Sequence, residues 1–137
     1  MRKSASLLIA GFVVLCAVAV ISAQGGNGWQ IPPAGRGEQS PLKPTPDVLK
    51  KGKSVFGSRC QKCHGPEGKG NGPESDPDEP AADLTDGSRA AANPDGVLFY
   101  KIWNGRKSPK MPAFKTDLAK DEIWSVVEYI KTLRKPA

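Results

Sequence analysis

The sequence is poor in residues that bind metals or form disulfides. It has one histidine, three cysteines and two methionines in 137 residues. Beyond its apolar N-terminus, only Cys60, Cys63 and His64 remain of the cysteines and histidines, too few for the four ligands of a structural zinc site. A disulfide between cysteines separated by two residues closes too short a loop to stabilise a fold. Zinc and a disulfide are therefore poor explanations for this pair.

A strong excess of charge is also missing. The formal net charge is +6, and loss of Arg2 and Lys3 with an N-terminal signal leaves 18 basic and 14 acidic residues, or +4. So small a basic excess does not indicate nucleic-acid binding. We expect no nucleic-acid partner.

The chain lacks the alternating pattern of strands, and its 15 glycines and 13 prolines require long loops. Apolar residues at three- and four-residue steps predict helices over 46–59, 95–104 and 120–134. Gly52 lies on the apolar face of the first helix, where close approach of another helix would explain a glycine. The sequence predicts a small all-α fold, with three main helices joined by long loops.

Residues 1–23 have the pattern of a signal peptide: Arg2 and Lys3, then an apolar stretch, then Ser22-Ala23. The apolar stretch is long for a signal core and short for a spanning helix, so an uncleaved membrane anchor is the alternative. Residues 24–46 are rich in glycine and proline and are predicted to be a tether without a helix. Residues 47–135 then form the domain, in the periplasm or on the outer face of the cytoplasmic membrane.

The run Cys60-Gln61-Lys62-Cys63-His64 is the signature of covalent haem attachment. Two thiols one helical turn apart can add to the two vinyl groups of one porphyrin, and the next residue, His64, then falls under the iron. A thioredoxin-like redox pair is the alternative, but no strand–helix–strand pattern lies beside these cysteines. We therefore expect one haem c, attached at Cys60 and Cys63.

Counting the remaining residues suggests the axial iron ligands. His64 is the only histidine, and Met111 is the only methionine left once Met1 leaves with the signal. Prolines at 109 and 112 would hold the Met111 loop rigid. Met/His ligation is used in electron carriers and raises the reduction potential. With both axial positions filled, we expect an electron carrier and not an enzyme.

From about Asp47 to Leu133 the chain resembles the class I c-type cytochromes, particularly small bacterial mono-haem ones. The matching features are Gly52 and Phe56, the run Cys60 to His64, the glycine-rich run 65–70, Asp83-Leu84-Thr85, Asn104-Gly105, Met111-Pro112 and Tyr129. The attachment motif is highly specific, and the weaker motifs follow in the right order. The resemblance implies a cytochrome c fold whose loops wrap one covalent haem.

The resemblance also implies roles around the haem. The carbonyl of Pro73 would accept the ring hydrogen of His64, and segment 74–105 would shield the propionate edge. Arg106 or Trp103 would contact a haem propionate there. The chain departs from the family pattern at Ala119, where a capping serine or threonine is commoner.

Basic residues flank the two ligand segments: Lys62, Lys69, Arg106, Lys107, Lys110 and Lys115. One interpretation is an ordinary solvated surface. The other is a basic rim around the haem edge that docks acidic redox proteins. We expect an exported mono-haem cytochrome that transfers single electrons between redox partners. The alternative is a subunit of a membrane-bound oxidase or dehydrogenase complex, held by an uncleaved N-terminal anchor.

Overall fold

The structure, a computed structural model, describes residues 28–108 and 110–136. Within them the helices are α1 (Pro33–Gly37), α2 (Pro46–Arg59), α3 (Gln61–His64), α4 (Asp95–Asn104) and α5 (Lys120–Leu133), with a 3-10 turn at Gly87–Arg89. These residues form no strand, and their one isolated bridge joins Arg106 to Met111. The all-α prediction is confirmed, with α2, α4 and α5 as the main helices. The helix predicted over 120–134 ends one residue early, because Arg134 is extended.

The predicted signal peptide or anchor at 1–23 lies outside the described residues, as do residues 24–27 of the tether. Of the helices that the structure does describe, none combines the length and apolar character needed to cross a membrane.

Local signals explain where the main helices begin and end. The Val48 N–H donates to Oγ1 of Thr45, 3.4 Å away, at the start of α2. At the end of α4 the chain turns through Gly105, whose φ of 59° favours glycine. Ala119 has no side-chain acceptor to cap α5, but its own N–H donates to Oε2 of Glu122 at 2.9 Å. The missing serine or threonine therefore does not displace the start of α5.

The core is centred on the crossing of α2 and α5. A Cβ on Gly52 would lie 2.9 Å from Cβ of Tyr129 and would collide with the carbonyl oxygen of Ser125. One turn later the rings of Phe56 and Tyr129 lie 5.4 Å apart, and Phe56 is buried. The close approach predicted from Gly52 is confirmed. The fully buried apolar residues of α5 are Ile123, Val126 and Val127.

The prediction that residues 24–46 hold no helix is wrong at α1. Pro33 stands at the first position of α1, where no N–H is needed. Gly35 then packs on α4, since a Cβ there would lie 2.9 Å from the Tyr100 ring. In α4, Gly96 lies so close to Gly35 that a Cβ added to Gly96 would strike the carbonyl oxygen of Gly35. Small residues on both sides make this contact possible, so α1 is stabilised by tertiary packing.

Candidate functional site

A cavity of about 950 Å³ lies among α2, α3, α4 and the loop that precedes α4. Cys60, Cys63, His64 and Met111, the four residues that sequence reasoning selected for haem attachment and ligation, all line this cavity. Ligand pockets usually measure about 300–1,000 Å³, so this one has room for a large cofactor. The structure thus brings the predicted residues together around one space.

The attachment motif lies where α2 passes into α3. The Cys60 N–H donates to the Phe56 carbonyl at 2.8 Å, and the Cys60 carbonyl accepts from the His64 N–H at 2.9 Å. Gly65 ends α3 with a φ of 77°, which turns the chain back over the motif. Both cysteines are free thiols. Burial, with Cys63 as the second cause, raises the pKa of Cys60 to about 12, so this thiol stays protonated.

The described residues offer no site for the zinc alternative. No group of three or more histidine, cysteine, aspartate or glutamate side chains within them is close enough to hold a metal ion. Among the described residues, the two cysteines and His64 thus have no acidic or sulfur partner that would complete a tetrahedral set.

His64 is held by the loop that crosses the cavity. Its Nδ1 lies 3.0 Å from the carbonyl oxygen of Ala82. A carbonyl only accepts, so Nδ1 carries the hydrogen and Nε2 keeps its lone pair for a metal. Burial lowers the pKa of His64, and the hydrogen bond to Ala82 opposes this only in part. The neutral imidazole is the form that binds iron.

The prediction that the Pro73 carbonyl accepts this hydrogen is wrong. Gly72 and Glu74, on either side of Pro73, donate to the carbonyls of Cys63 and Lys62 at 3.0 and 2.7 Å. These bonds hold Pro73 against the outer side of α3, where it lines a small separate pocket. Ala82 directly precedes the Asp83-Leu84-Thr85 motif, but nothing in that motif marks the Ala82 carbonyl as the acceptor.

Backbone hydrogen bonds hold Leu84 and Met111 in their loops. The Leu84 N–H donates to the Gly68 carbonyl at 2.7 Å, which brings residues 81–84 to His64. Arg106 and Met111 exchange both backbone hydrogen bonds at 2.9 Å, which closes the loop that carries the Met111 sulfur. Met111 also packs against the hydrophobic core. The sequence predicts that Pro109 helps to hold this loop rigid, but Pro109 lies outside the described residues.

The structure separates the two candidates for a haem propionate contact. Arg106 lines the cavity, with its guanidinium carbon 4.7 Å from the centre of the Trp29 ring. Trp103 does not line it, so the structure gives no support to the alternative in which Trp103 contacts a propionate. Its ring instead lies 5.6 Å from that of Phe99 and has Nζ of Lys120 5.5 Å from its centre. Phe99 and Trp103 are four residues apart, so both lie on the face of α4 turned away from the cavity.

Sequence reasoning missed several residues of the cavity wall. Trp29, Ile31 and Arg36 come from the segment interpreted as a tether, and Arg89 and Lys101 come from the loop and from α4. The only signal for the first group was two bulky apolar residues, Trp29 and Ile31, within a glycine- and proline-rich stretch.

The residues present fit haem c. The cavity offers two thiols for covalent attachment, a neutral imidazole and a thioether, which is the donor set of a Met/His cytochrome. Buried apolar side chains of α4, including Val97, Leu98 and Ile102, supply a wall for a flat porphyrin. The lining also includes the cations Arg36, Arg89, Lys101 and Arg106, which suit the two carboxylates of haem, together with acidic residues of segment 74–86.

Comparisons with known proteins agree with this chemistry. Residues 47–130 match the family described as "Cytochrome C oxidase, cbb3-type, subunit III". The cbb3-type cytochrome c oxidase subunit FixP of Azorhizobium caulinodans is 33% identical over 86 residues, which are 63% of this chain and 27% of FixP. The chain thus spans about a quarter of the length of this curated relative.

Two solved structures are similar in fold. A chain of the Kuenenia stuttgartiensis reducing HAO-like protein complex Kustc0457/Kustc0458 is 31% identical, with a TM-score of 0.59 over 69% of this chain and 47% of that one. Cytochrome cL of Methylophaga aminisulfidivorans is 28% identical, with a TM-score of 0.53 over 66% of this chain and 59% of that one. The chain belongs to the cytochrome c family described as cbb3-type cytochrome c oxidase subunit III, whose domain carries covalently bound haem c.

Proposed function

We propose that this protein transfers single electrons through one haem c, attached at Cys60 and Cys63 and bound axially by His64 and Met111. The observation that carries the proposal is the convergence of these four side chains on one cavity. Haem c supplies an iron that alternates between two oxidation states and so exchanges one electron at a time.

The protein's own residues prepare the site for this task. The Ala82 carbonyl fixes the orientation of the His64 ring and directs the ring hydrogen to Nδ1. The Met111 thioether favours ferrous iron and raises the reduction potential. Because both axial positions are filled, no position remains for a substrate, and the function is electron transfer without substrate chemistry.

The test is the spectrum of the oxidised holoprotein. We expect the wild type to show the sulfur-to-iron charge-transfer band of Met ligation and Met111→Ala to lose it, with a lower reduction potential. Thr116→Ala, an exposed and uncharged change in the same loop that does not line the cavity, should keep both. Persistence of the band in Met111→Ala would show that another residue is the sixth ligand.

Covalent attachment is tested separately. After denaturing electrophoresis, a haem stain should mark the wild-type band and be absent from a variant with both Cys60→Ala and Cys63→Ala. A wild-type band without stain would favour the thiol-module alternative.

We further propose that acidic redox proteins dock at a basic rim beside the Met111 loop. Lys107, Lys110 and Lys115 are exposed there. On the other side the rim is weaker, because Lys62 pairs with Glu74 at 3.0 Å and Lys69 pairs with Glu67. The rim therefore reduces to the lysines around Met111.

The rim is tested with small redox probes of opposite charge. Oxidation of the reduced protein by ferricyanide, an anion, should slow as ionic strength rises, whereas oxidation by a cationic cobalt complex should not. Lys110→Glu should lower the ferricyanide rate more than Lys53→Glu, an exposed change in α2 outside the cavity. Equal effects of the two variants would contradict docking at the rim.

Two settings fit this function. An exported carrier in the periplasm is the first, supported by the signal-like pattern of residues 1–23. The second is a subunit of a membrane-bound oxidase or dehydrogenase complex with an uncleaved anchor, which the similarity to the oxidase subunit FixP favours. Mass spectrometry of the native N-terminus and isolation of the protein from membranes in mild detergent distinguish them. An intact N-terminus and a copurifying complex would support the second setting.

A further inference from the structure

Three residues of the cavity wall come from a segment that lies before the family match. The family match begins at residue 47, whereas Trp29, Ile31 and Arg36 line the same cavity as the attachment cysteines. We call residues 28–42 the N-terminal segment. Its position makes it a part of the haem domain and not only a connection to it.

Contacts along its length fix the N-terminal segment in place. Ile31 is buried, and α1 packs on the face of α4 that carries Tyr100. The Ser40 N–H donates to Oδ2 of Asp95 at 3.2 Å, and the same oxygen lies 3.1 Å from Nζ of Lys131 in α5. Leu42 packs against the hydrophobic core. The segment is therefore attached to α4, to the network that reaches α5 and to the core.

The Trp29 ring gathers two cations at the cavity. Nζ of Lys101 lies 5.3 Å from its centre, and the guanidinium carbon of Arg106 lies 4.7 Å from it. Such cation–π contacts contribute about 0.5–1 kcal/mol each at exposed sites and more when desolvated. Trp29 thus holds two positive groups at the rim of a cavity that also has Arg36 and Arg89 in its wall.

These cations act on one another, although Oδ2 of Asp86 lies 3.8 Å from Nε of Arg89 and Glu79 acts on Arg106. Burial, followed by the charges of Arg106, Arg89 and Arg36, lowers the pKa of Lys101 to about 8. Like charges brought together in a half-buried place raise the free energy of the protein. A haem carboxylate beside Lys101 would lower that cost and accept a charge-assisted hydrogen bond.

We propose that the N-terminal segment is a wall of the haem site, in which Trp29 positions Lys101 and Arg106 against the haem carboxylates and Arg36 adds a third cation. This inference rests on the proposed function, since it needs haem in the cavity. The wall excludes water from that edge and places positive charge near the iron. Both effects favour the reduced state, which carries one positive charge fewer, and so raise the reduction potential.

The experiment is a potentiometric titration of the full-length holoprotein. Trp29→Ala should lower the reduction potential, because it opens the wall and releases two cations. Trp103→Ala is the matched control, since that tryptophan is also half-buried and lies beside a lysine but does not line the cavity. Arg36→Gln should also lower the potential relative to Lys53→Gln, a change of the same charge on an exposed residue of α2.

The spectra separate failure of this inference from failure of the proposed function. A wild type without covalent haem or without the Met charge-transfer band would contradict the proposed function. A normal wild-type spectrum, with neither Trp29→Ala nor Arg36→Gln below its control in potential, would overturn the inference alone. If Trp29→Ala does not fold, Arg36→Gln decides, because Arg36 is exposed, whereas the contact of α1 with α4 is made at Gly35.

Discussion

Replacement of Gly52 by alanine tests the helix crossing at the centre of the fold. The new Cβ would lie 2.7 Å from the carbonyl carbon of Ser125 and 2.9 Å from Cβ of Tyr129, and would collide with the Ser125 oxygen. None of these atoms is the end of a flexible side chain, so α2 and α5 must move apart. Gly57, in the same helix, has open space, with only the Gln61 side chain 3.9 Å away.

The magnitude follows from two opposing effects. Alanine gains about 1 kcal/mol over glycine in a helix interior. Overpacking a core costs about 1–3 kcal/mol, and Gly52→Ala lies at the upper end because a backbone must shift. We therefore expect Gly52→Ala to lose about 1–2 kcal/mol and Gly57→Ala to gain about 0.5–1 kcal/mol.

Denaturant unfolding of the two holoproteins, followed by circular dichroism, measures this difference. In a domain of this size each kcal/mol shifts the Tm by about 4–8 °C, so thermal unfolding should resolve it as well. The Gly57→Ala variant measures only the gain in helix propensity from glycine to alanine, without overpacking. If Gly52→Ala were as stable as Gly57→Ala, the crossing would have room for a methyl group and the explanation of Gly52 would be wrong.

Two further changes concern ionic groups. Nζ of Lys131 lies 3.1 Å from the buried carboxylate of Glu128. Lys131→Ala removes this cation and should lower the free energy of unfolding of the holoprotein, measured in urea, by about 1–3 kcal/mol. An unchanged urea midpoint of unfolding would contradict this. Hydrogen bonds, first from the Thr85 hydroxyl and then from its N–H, lower the pKa of Asp83. The ionised Asp83 therefore stabilises the folded protein at neutral pH, and this stabilisation is lost as the pH falls through the pKa of Asp83 in the folded state. In Asp83→Asn, the urea concentration at the midpoint of unfolding should fall less between neutral and acidic pH than it does in the wild type.

The main helices were predictable because their signals are local. Thr45 before α2, Gly105 after α4 and the apolar stripe of α5 mark boundaries that the structure reproduces within one residue. Local signals failed where a contact distant in sequence decides the structure. α1 is five residues long and depends on Tyr100, which no periodicity in residues 24–46 reveals. The acceptor for His64 depends on how loop 74–84 folds back, which spacing does not specify.

The two ligand segments differ in how firmly they are held, and this difference predicts the order in which they are lost. The His64 segment is tied by hydrogen bonds from Gly70 to the His64 carbonyl at 2.7 Å, from Gly72 to Cys63, and from the ring to Ala82. It is also covalently attached to haem in the proposed function. The Met111 loop is closed by its two bonds with Arg106 and is joined to α4 by the N–H groups of Phe114 and Lys115, 3.1 and 3.3 Å from the carbonyls of Ile102 and Trp103. Its residues Lys110 and Pro112 are exposed.

Regions with few buried contacts and exposed backbone open at a lower free energy than the core. We therefore expect Met111 to leave the iron before α2 and α5 separate. In a urea titration of the oxidised holoprotein, the Met charge-transfer band should disappear at a lower concentration than the helical circular dichroism signal. Gly52→Ala should move the helical transition to lower urea and narrow the gap between the two. Coincident transitions in the wild type would mean that the Met111 loop and the helix crossing unfold as one unit, which the different anchoring of the two segments does not predict.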